Sequence, residues 1–354
     1  LTAKAVINGL FSGRLNTALH VGTVSPKFFG NMKTLGLMFQ RIIALTLATS
    51  VVMSVVSTVF ASLFLGVALS NFLDVLAVVV ATMSLGLSTY LLTIPITFSA
   101  FKNGLDLDDV AYPIAATIAD VAITVCYALT VNLFFHFGYP GKYAVLLIAV
   151  SAAVLALYSL SRGFREERFS KTMRVSLLSL MLVAVIASVT GAILQRINVV
   201  AGLWNGNNAA IFVTYPALIE LIGDSALVIG STATTRLVLG LMEPHFSAVK
   251  NHAPQIIGAW TASAIAFIPI SAASLFLTGT FGLPAFYLLT SVLLATNVLA
   301  MIAMTLISFA LAILTFKKGL DPDHLVVPIE IALSGTITST ALLAAMFLLP
   351  HLAG

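Results

Sequence analysis

Long apolar runs, separated by short polar loops, are the dominant pattern along this chain. Each run is close to or above the roughly 20 residues that a helix needs to cross a bilayer, and each carries few charges. None shows the period-two alternation of a membrane β-barrel strand. The pattern therefore predicts an all-α integral membrane protein. The predicted helices are 5–25, 38–70, 73–102, 109–138, 142–162, 168–199, 206–241, 252–278, 282–316 and 323–350.

Composition agrees with a membrane protein and disfavours other classes. Hydrophobic residues make up 60% of the 354 residues and charged residues only 8%, far from the proportions of an ordinary soluble domain. The small net charge of +4 gives no basic surface for nucleic acid, so no nucleic-acid partner is expected. A single cysteine, Cys126, can form neither an internal disulfide nor a cysteine metal site. The lipid bilayer is the expected surrounding.

Basic residues are distributed unevenly between the loops, which predicts an orientation in the membrane. The loop 162–174 holds the densest basic cluster, and such loops stay on the cytoplasmic side. Alternation of the helices then places the C-terminal Gly354 outside the cell. It places Lys27, Lys33, Arg41, Lys102, Lys250, Lys317 and Lys318 on the cytoplasmic side, and Lys4, Lys142 and Arg196 on the other. Because the chain starts at Leu1, we expect further residues before it.

An internal repeat divides the chain into two related halves. Residues 101–114 recur 215 positions later as residues 316–329, and a weaker echo relates 13–22 to 231–240. The second half has five predicted helices, whereas the first has four before the helix 142–162. We therefore predict two five-helix repeats, the first incomplete at its N-terminus. The predicted domains are 1–138 for the first repeat, 139–165 for a linking transmembrane helix and cytoplasmic loop, and 166–354 for the second repeat.

The extra helix 142–162 has a topological purpose. Five crossings would insert the second repeat upside down, whereas five plus one restore the orientation of the first. The repeats are therefore predicted to be parallel and pseudo-symmetric. Such a chain resembles a dimer fused into one polypeptide and can act as a monomer, with a pore expected at its central axis.

Four carboxylates lie within the apolar runs: Asp120, Glu220, Asp224 and Glu330. Glu220 and Asp224 are four residues apart and therefore share a helix face. Acids at membrane depth are costly and mark ion or proton paths, although a protonated carboxyl group can also simply join two helices. These acids have no Cys or His cluster beside them, and oxygen ligands suit hard divalent cations such as Mg2+. Thr117, three residues before Asp120, adds a hydroxyl group.

Several short motifs resemble the membrane domain of MgtE-type magnesium transporters. They are Pro216-Ala217-Leu218 followed by Gly223-Asp224, the small-residue run 230–235, the segment 319–328, and Pro113 followed by Asp120. The tandem layout is similar to the archaeal and eukaryotic solute-carrier branch with two fused domains. The resemblance implies transport of divalent cations, and it implies that Asp120 lines the pore. The run 230–235 also predicts close helix packing.

Two departures from the family pattern change the expected site. The second-half counterpart of Asp120 is Gly335, so only one copy of that acid is present. The cytoplasmic sensor and nucleotide-binding modules of bacterial MgtE are also missing from this sequence. We predict a lopsided site in which partly hydrated Mg2+ contacts Asp120 and Asp224 near the axis. Glu220 and Glu330 flank it, and Thr117 adds an oxygen.

Alternative functions remain at this point. The acids can carry protons or Na+ in exchange for a divalent cation, and the transported ion can be Mn2+, Co2+ or Ca2+ instead of Mg2+. An intramembrane aspartyl protease would also use two membrane aspartates. Its motifs run in the opposite order, however, and its usual Tyr-Asp partner is missing here. No Ser-His-Asp set or phosphate-binding loop is found, so an enzyme is not expected.

Overall fold

The computed structural model describes residues 2–27, 32–105, 112–163, 167–202, 208–319 and 322–349. These residues form helices joined by short loops, and no strand occurs among them. The helices are α1 Thr2–His20, α2 Met32–Leu65, α3 Phe72–Leu85, α4 Tyr90–Lys102, α5 Tyr112–His136, α6 Gly138–Gly163, α7 Glu167–Ala201, α8 Asn208–Val238, α9 Ala253–Leu277, α10 Leu283–Lys318 and α11 Pro322–Leu348. The all-helical prediction is confirmed for this part of the chain.

Nine helical segments of the described residues are long and apolar enough to cross a membrane. They are Leu35–Phe64, Leu69–Lys102, Thr117–His136, Gly138–Ser161, Leu180–Ala201, Ala209–Val238, Phe246–Leu277, Leu283–Lys318 and Ile329–Leu348. Each corresponds to one of the ten predicted segments. The tenth, α1, is helical as predicted but is not among the nine, because polar residues such as Lys4 and Asn16 lower its hydropathy. The chain is a multi-pass membrane protein.

The predicted helix 73–102 is interrupted where α3 gives way to α4. A short 3-10 turn, Gly86–Thr89, joins the two helices. Gly86 faces α5, and a Cβ atom there would overlap the side chain of Ile123. The break therefore lies where the absence of a side chain lets α5 approach closely.

The chain divides into two compact units, residues 1–185 and 186–354, with the boundary inside α7. In the first unit, α2, α3 and α6 pack together, α5 packs on α3, α4 and α6, and α1 contacts α2, α4 and α5. In the second unit, α10 packs against α8, α9 and α11, and α8 also packs against α9 and α11. The predicted repeat boundaries and pseudo-symmetry remain predictions.

The first unit buries a lysine in its interior. Lys4 of α1 is fully buried, and its Nζ lies 4.2 Å from the centroid of the Tyr90 ring. Among the residues whose side chains the structure describes, none accepts a hydrogen bond from Nζ. A buried ammonium group with only an aromatic partner is poorly compensated for its lost hydration.

Replacing Lys4 by Met should therefore stabilise the protein. We expect the free energy of unfolding to rise by about 1–3 kcal/mol, because a flexible apolar side chain of similar length removes the buried charge. Thermal unfolding of the detergent-solubilised protein measures this change. Lys142→Met is the matched control: its ammonium also lies over a ring, 4.9 Å from the centroid of Phe134, but it is half-exposed and 3.9 Å from Asp74. A lower unfolding temperature for Lys4→Met than for the control would contradict the prediction.

Candidate functional site

The core of the second unit fixes the rotation of α8 about its axis. α8 has 31 residues, and its buried positions recur every three or four residues, the spacing of a single helix face. Six of them are completely buried: Ala210, Leu218, Ile222, Ala226, Ile229 and Ala233. The burial of this face determines which residues of α8 point away from the core.

The opposite face of α8 carries a row of exposed residues that includes two acids. We name this row the acidic stripe, and it consists of Pro216, Glu220, Asp224, Val228, Ser231 and Thr235. Glu220 and Asp224 therefore share one exposed face, as their spacing indicates. Ser231 and Thr235 add hydroxyl groups to the same face. Four of the six side chains in the stripe therefore carry oxygen atoms, on a largely apolar helix.

Pro216 adds a backbone oxygen close to the stripe. It lies inside α8 and has no backbone N–H, so the carbonyl of Phe212, four residues earlier, lacks its usual helical donor. A carbonyl oxygen of this kind can accept a hydrogen bond from water or contact a cation. This carbonyl lies about two turns before Glu220 and about three turns before Asp224 along the same helix.

A second carboxylate with hydroxyl neighbours lies on α5 of the first unit. Asp120 is half-buried, and Thr117 and Thr124 are exposed on the same side of the helix. The Thr124 hydroxyl donates to the backbone carbonyl of Asp120 at 2.7 Å. Thr124 was not among the predicted site residues, although its position four residues after Asp120 could have indicated it.

Glu330 of α11 differs from the other acids because it is buried. It is only 1% exposed, and its carboxyl group rests against α8 at Gly230. A Cβ atom at Gly230 would lie 2.5 Å from Oε1 of Glu330. Neither carboxyl oxygen has a hydrogen-bond partner among the residues that the structure describes. Gly230, the first residue of the small-residue run 230–235, thus allows α11 to pack closely on α8.

Contacts along α8 and α11 show that the two helices run antiparallel. The Tyr215 hydroxyl lies 2.6 Å from that of Ser339, and Ser334 lies against Gly223. Glu330 against Gly230 continues the same line. Because Gly230 is six residues beyond Asp224, it is about 9 Å further along α8 and roughly a third of a turn around it. Glu330 therefore contacts α8 on a different side from the acidic stripe.

Gly335, which the predicted repeat aligns with Asp120, is a packing position in the second unit. Gly335 of α11 faces α7, where a Cβ atom would lie 3.7 Å from the side chain of Thr190. The neighbouring Thr336 forms a hydroxyl contact with Thr190 at 2.7 Å. In the second unit, this place in α11 therefore serves helix packing and brings no acid.

No group of three or more His, Cys, Asp and Glu side chains in the described parts of the chain could hold a metal ion. The acids are instead distributed singly or as a pair: Asp120 in the first unit, Glu220 with Asp224 on the stripe, and Glu330 against Gly230. A dehydrated ion in a dense ligand cage does not fit this distribution.

Apolar spans with oxygen-bearing side chains on unburied helix faces are a common feature of ion-transporting membrane proteins. Residues 6–130 match the family model of MgtE, a divalent cation transporter. The predicted resemblance is thus confirmed over this part of the chain, which includes Thr117 and Asp120 but none of the acids of the second unit. No curated protein and no solved structure matches the chain.

Proposed function

We propose that this protein carries divalent cations, Mg2+ above all, across the membrane, and that the acidic stripe of α8 lines the path. The observation that carries the proposal is the presence of two carboxylates, Glu220 and Asp224, on the unburied face of a membrane-length apolar helix. The match of residues 6–130 to a divalent cation transporter family supports it.

The cost of charge in a membrane favours an aqueous environment for the stripe. An acid facing lipid at the centre of a spanning helix costs at least about 2.5 kcal/mol, and two on one face approximately double that cost. A path filled with water and cations removes most of this cost. The two acids then face the path, while the buried face of α8 holds the helix in the unit.

The ligand set suits a partly hydrated Mg2+ ion. Mg2+ prefers oxygen, loses its water reluctantly and is commonly held by only one or two carboxylates with several waters. Asp224 and Glu220 provide the carboxylates in this proposal. The carbonyl of Phe212, before the two acids, and the hydroxyl groups of Ser231 and Thr235, after them, provide partners for the ion's waters at successive points along the path. This small number of carboxylate ligands agrees with the sparse distribution of acids in the described residues.

Asp120 has the equivalent role on α5 of the first unit. Thr117 and Thr124 flank it along the helix, so α5 offers one charge and two hydroxyl groups on a single side. Asp120 is also the acid that lies inside the segment matching the transporter family. We assign it direct contact with the hydrated ion during its passage.

Replacing Asp120 by Asn should lower Mg2+ uptake by about tenfold, because the contact of a charged group is worth about 1.5 kcal/mol or more. Uptake is measured in proteoliposomes with a Mg2+-sensitive dye, and binding by isothermal titration calorimetry. Asp74→Asn is the matched control, since Asp74 is exposed and lies 3.9 Å from Lys142. Mg2+ binding and uptake that are unchanged in Asp120→Asn would overturn the role of Asp120. Absence of any divalent cation binding by the unaltered protein would overturn the proposed function.

A further inference from the structure

Glu330 is the predicted site residue of the second unit that lies off the acidic stripe. We propose that its carboxyl group carries a proton which is released when a divalent cation binds to the stripe, so that the protein exchanges protons for divalent cations. This inference rests on the proposed transport function. The second ligand, beside the divalent cation, is thus a proton, and it binds where α11 contacts α8.

The space around the carboxyl group favours a proton over a metal ion. A Cβ atom at Gly230 would lie 2.5 Å from Oε1 and 3.2 Å from Cδ of Glu330, so the group rests directly on the α8 backbone. A metal ion needs oxygen ligands on several sides, at about 2.0–2.6 Å for Mg2+ or Ca2+. α8 occupies one of those sides with a glycine, which offers no side-chain ligand. A proton on the carboxyl group needs no such space.

The immediate neighbours of Glu330 bring no charge. Ser308 of α10 faces the carboxyl group, but its hydroxyl donates to the backbone carbonyl of Ala226 at 3.3 Å. Gly230 has no side chain, and Ser334, one turn further along α11, donates to the carbonyl of Ile331 at 2.9 Å. Within the described residues, no positive charge therefore compensates an ionised Glu330, and the hydroxyl of Ser308 is the one neutral donor that faces it.

The titratable groups of the helices packed against α11 lie elsewhere. Tyr215 of α8 meets Ser339, and Arg236 of α8 meets His252 at 3.2 Å. Among the residues of these helices whose side chains the structure describes, the remaining titratable ones are Glu220 and Asp224 on the acidic stripe, Tyr287 near the start of α10, Lys317 and Lys318 at its end, and Arg196 of α7. None of them forms an ion pair with Glu330 among the described contacts.

An ionised carboxyl group in this contact would lose its hydration and gain no opposite charge, and the Ser308 hydroxyl that faces it also contacts the carbonyl of Ala226. The neutral carboxyl group is therefore the form that fits the closed contact between α8 and α11. Ionisation requires water at the carboxylate, and hence a looser contact between the two helices. Proton release and a change in this contact are two aspects of one step.

α8 connects the proton site to the ion path. Its acidic stripe lies on one side and Gly230 on another, so a cation that draws the stripe toward the path also moves the surface on which Glu330 rests. By linkage, cation binding then weakens proton binding, and the reverse holds equally. In the step, the carboxyl O–H bond breaks, its electron pair stays on the oxygen, and the proton passes to water while the cation enters.

The test compares the full chain with Glu330→Gln in proteoliposomes whose membrane potential is clamped with K+ and valinomycin. We expect an acidic lumen to accelerate Mg2+ uptake severalfold in the unaltered protein. Glu330→Gln keeps the shape of a neutral carboxyl group and should take up Mg2+ at a rate that no longer depends on the pH gradient. Glu243→Gln, an exposed loop acid just beyond α8, should behave like the unaltered protein.

A second measurement does not require the Glu330→Gln variant to transport Mg2+. Addition of Mg2+ to the purified protein in weakly buffered detergent should release about one proton per chain, detected with a pH-sensitive dye, and Glu330→Gln should release none. Mg2+ uptake that ignores the pH gradient in the unaltered protein, or equal proton release from both proteins, would overturn the proton site and leave transport intact. Failure of the unaltered protein to bind or take up Mg2+ would instead overturn the proposed function.

Discussion

Replacement of Asp224 by Asn is expected to lower Mg2+ uptake by about 10- to 100-fold, the largest loss of activity for any single acid of this chain. Asp224 is near the middle of α8, where a hydrated cation is furthest from bulk water. The amide keeps the shape but removes the charge. Loss of a charged contact worth about 1.5–3 kcal/mol gives this range of rates, since each 1.4 kcal/mol corresponds to about tenfold. Uptake into proteoliposomes and isothermal titration with Mg2+ measure the effect.

Two further variants separate charge from structure at this position. Asp224→Glu keeps the charge and should retain more uptake than Asp224→Asn, because α8 exposes this face and has room for a longer side chain. Glu243→Gln removes an exposed acid from the loop after α8 and should leave uptake unchanged. The thermal stability of Asp224→Asn should match that of the unaltered protein. Undiminished uptake by a folded Asp224→Asn would show that the stripe does not line the path.

The sequence predicted the helices of the described residues well, because membrane thickness and apolar composition set their positions. The prediction 168–199 corresponds to α7 Glu167–Ala201, and 252–278 corresponds to α9 Ala253–Leu277. The break between α3 and α4 was not predictable in the same way. It depends on a close approach of Ile123 to Gly86, which are far apart in sequence.

The candidate site was also predictable from the sequence only in part. The shared face of Glu220 and Asp224 follows from their spacing alone, and the structure has both on the exposed side of α8. The position of Glu330 against Gly230 depends on the antiparallel alignment of α11 with α8, which no local pattern encodes. The small-residue run could indicate close packing there, but it could not identify the side chain that uses the space.

One unit contains the segment that matches the transporter family, and the other contains most of the membrane acids. The family match lies entirely within residues 1–185 and includes Asp120, whereas three of the four membrane acids belong to residues 186–354. The predicted repeat aligns Gly335 with Asp120, and the structure has Gly335 packed against Thr190. We infer that the acidic stripe gives the second unit its own means of contacting ions.

Gly141→Ala should cause the largest loss of stability, by about 3 kcal/mol or more in the free energy of unfolding. Gly141 lies at the start of α6, just after the tight turn from α5, in which Gly138 has a φ of 58°. A Cβ atom at Gly141 would overlap the carbonyl oxygen of Leu133 and lie 2.9 Å from Cβ of Phe137. The overlapping atom belongs to the backbone, so no change of rotamer can relieve it, and α5 and α6 must separate.

Gly258→Ala is the matched control, because a Cβ atom at Gly258 in α9 would meet no atom within 4 Å. Alanine favours a helix over glycine by about 1 kcal/mol, so this variant should keep or slightly raise the unfolding temperature in detergent. Gly141→Ala should lower that temperature and also reduce Mg2+ uptake, since α6 supports α5 and α5 carries Asp120. Equal unfolding temperatures for the two variants would show that the turn can open at little cost. This combined loss differs from Asp224→Asn, in which we expect uptake to fall while stability is kept.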